Sequence, residues 1–215
     1  MHRWFLVFAA ALPSFTASKV LLEDAQVKVV LAENTPGAKS RPHKHDVNRV
    51  MVHLDPGKIR LAFEDGEVKD IEFQAGEVRW DPAGGMHTSE NVGGTTYHIV
   101  EVEIKTGPGQ VTWPEQDPLK VAAAHHKLEF ENDQVRVLRM RVAPKEKTAL
   151  HEHVLPRVTV YMTDQSARVT LPNGRGSTVR NKKSHVSKGG KANHAERNLG
   201  SRAFEMVFVE LKGAK

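Results

Sequence analysis

The residues best suited to chemistry in this sequence are histidines, and they occur in a pattern that is written twice. The stretch "RPHKHDVNRV" carries His43 and His45, and "ALHEHVLPRV" carries His151 and His153. In an extended strand, residues two apart project from the same face, so each pair presents two imidazoles together. Two neutral imidazoles on one face can bind a single divalent cation, at roughly 2.0–2.1 Å per nitrogen for zinc. The spacing therefore predicts metal binding.

A third ligand for each pair is available further along the chain. His87 opens the segment "HTSENVGG", and His194 opens the matching segment "HAERNLGS". Two interpretations are open: two metal sites, or a duplicated scaffold whose inherited histidines no longer bind anything. Two pairs in matching positions, each followed by a third histidine at a matching distance, favour metal binding over chance. No residue can be assigned as catalytic from the sequence.

An arginine follows each histidine pair at the same distance. Arg49 lies four residues beyond His45, and Arg157 lies four residues beyond His153. An unbroken strand would turn both arginines toward the histidines, where a cation would repel them unless an anion lay between. One interpretation is that they bind a carboxylate or phosphate of a small ligand bidentately. The alternative is that a bulge turns each arginine outward to the rim, where it pairs with an acid.

The chain that positions these residues is a tandem repeat. Residues 23–60 align without a gap on residues 131–168, and "VEIK" near the end of the first half matches "VELK" near the end of the second. Each half consists of short segments in which apolar and polar residues alternate. An Asp-Gly turn separates two of these segments in the first half, and an Asn-Gly turn does so in the second. This pattern predicts an all-β chain of antiparallel barrels or sandwiches.

The N-terminus has a different composition from the rest of the chain. Residues 1–18 have the layout of a secretory signal peptide: a short basic start, an apolar run from Trp4 to Leu12, and small residues up to Ser18. The run is shorter than the roughly 20 residues that span a bilayer. We therefore predict a secreted or periplasmic protein without stable membrane insertion. A buried strand or an amphiphilic anchor is the alternative.

The repeat and its spacer give the expected domain boundaries. We predict a first barrel over residues 19–106, a linker over 107–126 and a second barrel over 127–215, with a short helix between Leu119 and His126. On this division His125 and His126 are interpreted as linker residues.

The charge pattern and the absence of cysteine exclude several classes of function. The chain has 31 Lys and Arg, 26 Asp and Glu and a formal net charge of +5. Because these charges alternate, and no basic helix or run of stacking aromatics is present, nucleic acid is not an expected partner. With no cysteine, the chain cannot use thiolate catalysis, iron–sulfur clusters or disulfides.

The histidine motifs resemble those of the cupin superfamily over nearly the whole chain after residue 18. The first half fits the second family motif completely, at Gly76, Pro82, Gly84, His87 and Asn91, and fits the first motif at Gly37, His43 and His45. The second half keeps the side chains of His151, His153, His194 and Asn198, but has Lys145, Lys183, Gly189 and Lys191 at the expected turn residues. The family's glutamate ligand does not map, because Arg49 and Arg157 stand at its position.

The resemblance implies two tandem antiparallel jelly-roll barrels, each with a metal inside one mouth. The ligands would be His43, His45 and His87 in one half, and His151, His153 and His194 in the other. Three neutral histidines favour a divalent transition metal, namely iron, zinc, manganese, nickel or copper. Such a site also leaves coordination positions open for a substrate.

The resemblance also bears on function. Three-histidine cupins are often oxygenases, which implies a metal-dependent, dioxygenase-like enzyme acting on a small anionic substrate. The alternative is a non-catalytic module that binds a metal ion or a small anionic ligand. Cupin barrels often pair through sheet edges, so a homodimer is an expected assembly, although two fused barrels can already satisfy that pairing.

Overall fold

The computed structural model describes residues 16–214, and these confirm the predicted all-β class. In the first half the strands are β1 (Ala17–Glu23), β2 (Val27–Asn34), β3 (His43–His45), β4 (Arg49–His53), β5 (Gly57–Phe63), β6 (Val68–Phe73), β7 (Val78–Asp81), β8 (Gly84–Asn91) and β9 (Tyr97–Ile104). Most of the predicted signal peptide lies outside the described residues. Within residues 16–214, no helix is long and apolar enough to cross a membrane.

The second half repeats this series after a short helix. Its elements are α1 (Pro118–Val121), β10 (His126–Glu131), β11 (Val135–Val142), β12 (His151–His153), β13 (Arg157–Tyr161), β14 (Gln165–Thr170), β15 (Gly176–Asn181), β16 (Val186–Gly189), β17 (Ala192–Asn198) and β18 (Phe204–Leu211). Asp117 caps α1 by accepting a hydrogen bond from the Leu119 amide at 3.0 Å. The helix ends at Val121 and is shorter than the predicted one.

The strand order shows the duplication directly. The first half has a five-stranded antiparallel sheet, β1-β2-β9-β4-β7, and a four-stranded sheet, β3-β8-β5-β6. The second half has sheets of the same size, β10-β11-β18-β13-β16 and β12-β17-β14-β15, which give the same order when nine is added to each strand number. The predicted hairpin turns are present at Gly66 (φ 91°) and Gly174 (φ 79°), in the left-handed region that glycine adopts without strain.

The two halves share one apolar core between their five-stranded sheets. Alternate valines of β2 and β4, such as Val27 and Val50, belong to the same buried cluster as their repeat equivalents Val135 and Val158, each 0% exposed. The opposite faces of these sheets carry the barrel interiors, where the second half buries Leu138, Met140, Phe204 and other residues. Because burying each such aliphatic side chain contributes roughly 1.5–3 kcal/mol, we expect the halves to unfold together.

The shared core predicts a large stability loss for Leu211→Ala. Leu211 is 0% exposed and lies in this cluster, so its truncation should lower the free energy of unfolding by about 2–5 kcal/mol in a single cooperative transition. Urea denaturation followed by circular dichroism measures this. The control is Leu171→Ala, where the side chain is 46% exposed and a change within about 0.5 kcal/mol is expected. Equal midpoints for the two variants would contradict the shared core.

Candidate metal centres

The first cluster joins the three histidines predicted for the first half. His43 and His45 lie on β3, and His87 lies opposite His43 on the neighbouring strand β8. Their ring centroids are 4.9 Å apart for His43–His45, 4.6 Å for His43–His87 and 5.4 Å for His45–His87. One nitrogen from each ring lies within 4.8 Å of the others. The strand pairing thus assembles the predicted triad.

Arg49 occupies the interior beside this triad. Its Nη1 atom donates to His45 Nε2 at 2.7 Å and to Glu101 Oε2 at 2.7 Å, while Nη2 donates to Asp81. The Arg49 side chain is only 7% exposed. Arg49 therefore faces the histidines, as strand parity predicts, and is also paired with acids. Burial, reinforced by the Arg49 charge, lowers the pKa of His45 to about 3.

The second cluster contains the three histidines predicted for the second half and one more. His151 and His153 lie on β12, and His194 pairs with His151 from β17. Their ring centroids are 5.2 Å apart for His151–His153, 4.8 Å for His151–His194 and 5.7 Å for His153–His194. The ring of His126, on the edge strand β10, lies 4.7 Å from that of His151. One nitrogen from each of His126, His151 and His153 lies within 4.8 Å of the others.

These three rings are arranged as metal ligands are. In each, Nδ1 contacts a protein oxygen, at 2.9 Å for His151 and Ala149, 2.7 Å for His153 and Glu210, and 3.2 Å for His126 and Ala122. These oxygens accept the Nδ1 proton, which leaves the lone pair on Nε2. Within residues 16–214 all three Nε2 atoms are buried and have no hydrogen-bond partner. Three converging Nε2 lone pairs that accept no hydrogen bond are suited to binding a divalent cation.

Comparison with known proteins identifies the architecture. AerE from Microcystis aeruginosa is similar over 92% of this chain and 98% of its own, with 12% identity and a TM-score of 0.64. Oxalate decarboxylase from Bacillus subtilis, a protein with Mn(II) centres, is similar over 95% of this chain and 75% of its own, with 13% identity and a TM-score of 0.64. A cupin 2 conserved barrel domain protein from Leptotrichia buccalis covers 94% and 92%, with 13% identity and a TM-score of 0.56.

The chain therefore has the fold of two cupin barrels in tandem. No protein-family model and no curated protein sequence matches it. At 12–13% identity, the structural similarities establish the fold alone. The chemistry of this chain must therefore be argued from its own side chains.

The second histidine cluster is held by a buried network of charged groups. Glu210, which accepts from His153 Nδ1, also accepts from Arg136 Nε at 2.7 Å, and Arg136 Nη1 donates to Asp117 at 2.7 Å. The side chains of these three charged residues are at most 3% exposed. The Arg136 guanidinium also stacks 3.3 Å from the centre of the Trp113 ring. This network of ion pairs fixes the tautomer and orientation of His153.

The segment before α1 crosses the strands that carry the second cluster. The carbonyl of Gln116 accepts from the Glu152 amide on β12 at 2.7 Å, and its side-chain oxygen accepts from Asn193 on β17 at 2.7 Å. Trp113 and Asp117 of the same segment contact Arg136. This part of the predicted linker is therefore packed against the second barrel. His151 and His153 are each 0% exposed beneath it.

Arg157 differs from Arg49 in its partners. Its Nη1 donates to the Gly190 carbonyl at 2.6 Å, and its guanidinium carbon lies 5.8 Å from the centre of the Phe208 ring. The acids that hold Arg49 are replaced at the equivalent positions by Gly189 and Phe208. In the described part of the chain, no carboxylate lies within ion-pair distance of the Arg157 guanidinium. Burial lowers the pKa of Arg157.

His126 is the residue that sequence reasoning missed. It aligns with Ser18 in the first half, so no repeat pointed to it, and it falls outside both cupin motifs. The structure places it in β10 opposite Met140, buried at 4% exposure. The alternation in "HKLEFE" was the available signal, because it extends the strand back to His126. His194, in contrast, directs Nε2 toward Glu196 Oε1 at 3.4 Å.

Burial of the second cluster predicts that the metal-free protein is destabilised by mild acid. Burial lowers the pKa of His126 to about 3 and that of His151 to about 4, from an ordinary value of 6.5. At pH values between these lowered pKa values and 6.5, the histidines of the unfolded chain bind protons that those of the folded chain do not. The free energy of unfolding should therefore be greatest above pH 6.5 and fall as the pH is lowered toward 4.

Denaturant unfolding of chelator-treated protein at pH 7.5 and pH 5.5 checks this pH dependence. His126→Gln removes one of the titrating groups, so its pH dependence should be shallower than that of the unmodified protein. An unchanged or higher unfolding free energy at pH 5.5 is the result that contradicts the prediction.

Proposed function

We propose that this bicupin is an exported, metal-dependent enzyme that acts on a small anionic substrate at the histidine cluster of its second half. The reaction class that we propose is dioxygenase-like oxidation. The observation that carries the proposal is the set of three converging, buried Nε2 atoms without a donor, in His126, His151 and His153. Export is proposed from the composition of residues 1–18.

The set of ligand atoms supports a divalent transition metal. Imidazole nitrogens suit iron, zinc, manganese, nickel and copper, whereas magnesium and calcium require oxygen ligands. The Mn(II) centres of oxalate decarboxylase, on a similar fold, add support for manganese. Three protein ligands leave coordination positions for a substrate, and a bound metal would supply Lewis acidity there.

Arg157 supports the proposal of an anionic substrate. Its guanidinium is buried, has no carboxylate partner within residues 16–214, and lies beside Phe208, whose ring is 5.2 Å from that of His153. A buried guanidinium binds carboxylate or phosphate through paired N–H groups. We assign Arg157 the role of neutralising and orienting the anionic group of the substrate. Arg49 is not suited to this role, because Asp81 and Glu101 already neutralise it.

The remaining side chains hold the site in one geometry. Glu210 keeps the Nδ1 proton on His153, and Arg136 holds Glu210 in place. Phe208 excludes water from one side of His153. These groups orient the ligands before metal or substrate binds, which reduces the reorganisation required during a reaction.

The test uses the tag-free protein loaded separately with Fe(II), Mn(II), Zn(II), Ni(II) or Cu(II). Oxygen uptake and product formation are measured with catechols, keto acids, thiols and small carboxylates, including oxalate. We expect metal-dependent turnover of at least one anionic compound and its loss in His151→Ala. The matched control is His43→Ala in the first half, which should retain turnover. Bound metal without turnover of any compound contradicts the enzymatic proposal.

The alternative function is a non-catalytic module that binds a metal ion or a small anionic ligand. The observation that favours it is the complete burial of His151 and His153, because structural metal sites are closed whereas catalytic ones are open. In that case metal would raise the unfolding temperature and no compound would be turned over. The expected homodimer stays a prediction, which analytical ultracentrifugation tests.

A further inference from the structure

We propose that the chain binds one metal ion, in its second half and with His126 among the ligands, while the Arg49 guanidinium takes the place of a metal in the first half. The inference rests on the proposed function in so far as that function requires a metal. The inference goes beyond the proposed function by assigning different roles to two histidine triads that the duplicated sequence presents as equivalent.

In the first half, the lone pair that a metal needs is already engaged. Arg49 Nη1 lies 2.7 Å from His45 Nε2, so the guanidinium donates to the atom that would bind the cation. His43 and His87 turn their Nδ1 atoms to the carbonyls of Arg41 and Gly85, both at 2.9 Å. Their Nε2 lone pairs are therefore the ones available to a metal. A metal at this triad would have to displace Arg49 or lose one ligand in three.

The position of Arg49 is fixed by two acids. Asp81 lies opposite Arg49 on β7, and Glu101 reaches the same guanidinium from β9. The Arg49 side chain is only 7% exposed, so separating it from these acids would leave a buried cation without a partner, which is costly. The first half therefore already contains a cation with its counterions.

The second half lacks this arrangement. Gly189 stands opposite Arg157 where the first half has Asp81, and Phe208 stands where it has Glu101. Without these acids Arg157 donates to the Gly190 carbonyl, and no hydrogen bond joins it to His153 in the described chain. The Nε2 atom of His153 is left without a donor.

His126 completes the second centre from outside the repeated motifs. Its Nε2 is buried without a partner, like those of His151 and His153, and the three form one group within 4.8 Å. Leaving a buried polar atom unpaired costs free energy, and a bound cation would remove that cost for all three at once. With Arg157 at the position of the family's glutamate, His126 supplies the ligand that the motif lacks.

Metal stoichiometry tests the inference. Tag-free protein is stripped with chelator and titrated calorimetrically with Mn(II) and Zn(II), and the bound metal is counted by mass spectrometry. We expect one metal per chain. His126→Ala should weaken its affinity by at least about 10-fold, and His43→Ala should leave it unchanged. Arg49→Met should raise the stoichiometry to two, provided that the variant folds.

Spectroscopy of the Cu(II)-loaded protein provides a second measurement. Hyperfine coupling to imidazole nitrogens should be lost in part in His126→Ala and should be retained in His43→Ala. These readouts do not depend on turnover. Metal counts for the unmodified protein and for His43→Ala show which half binds the metal even if Arg49→Met does not fold.

The outcomes separate this inference from the proposed function. Two metals per chain in the unmodified protein, or loss of the metal in His43→Ala, would overturn the inference and leave a metal-dependent function intact. Unchanged affinity in His126→Ala would overturn the role of that residue. No bound metal under any condition would overturn both.

Discussion

Replacing Arg136 with methionine is expected to lower the free energy of unfolding by about 3–5 kcal/mol. Arg136 is 1% exposed and forms ion pairs with Asp117 and Glu210 at 2.7 Å each. Methionine would leave both carboxylates buried without a cation, and it would also remove the stacking on Trp113. Denaturant unfolding with tryptophan fluorescence measures the loss and also reports the local environment of Trp113.

Lys28 provides a matched control for Arg136. It occupies the equivalent position in the first half and pairs with Glu103 at 3.4 Å, but its side chain is 31% exposed. Because exposed ion pairs contribute little, Lys28→Met should change the free energy of unfolding by no more than about 1 kcal/mol. A similar loss in both variants would show that burial of the Arg136 network does not stabilise the second half.

Glu210→Gln should weaken metal binding at the second centre by about 10–100-fold, the usual effect of losing a hydrogen-bond partner of a ligating histidine. Glu210 accepts from both Arg136 and His153. A glutamine that keeps its oxygen on Arg136 turns its NH2 group toward His153 Nδ1. The imidazole would then accept at Nδ1 and carry its proton on Nε2, which removes the lone pair that the metal requires.

The control for this substitution is Glu103→Gln, which changes the equivalent position on β9. Glu103 pairs with Lys28 rather than with a histidine, so metal affinity should be unchanged. Isothermal titration with Mn(II) or Zn(II) gives both constants, and circular dichroism shows whether each variant is folded. Equal affinities for Glu210→Gln and the unmodified protein would contradict the role of Glu210 in holding the His153 tautomer.

The sequence predicted the fold and the grouping of the motif histidines because both depend on local patterns. Alternation identified the strands, and the dipeptides ending in Gly66 and Gly174 identified hairpins whose glycines have positive φ. The spacing in HKH and HEH put two imidazoles on one face of a strand. The repeat then pointed to the third histidine of each half, which the resemblance to cupins supported and which strand pairing brings beside the others.

The partners of the two arginines were not predictable in the same way. Whether Arg49 is neutralised depends on Asp81 and Glu101, which are distant in sequence and meet it only through the register of β7 and β9. The motif is alike in both halves, whereas the residues across the sheet are not. His126 was missed for a related reason, since it reaches the second cluster from a neighbouring sheet and has no equivalent in the repeat.

The segment that carries Trp113, Gln116 and Asp117 has a consequence for how fast the second centre exchanges its metal. Gln116 bonds to β12 and β17 above the buried histidines, and Asp117 and Trp113 fasten the same segment to Arg136. If a cation binds to these histidines, its residence time should depend on the opening rate of this segment as well as on its affinity. A metal acquired during folding would therefore stay with the chain after the surrounding solution had lost it.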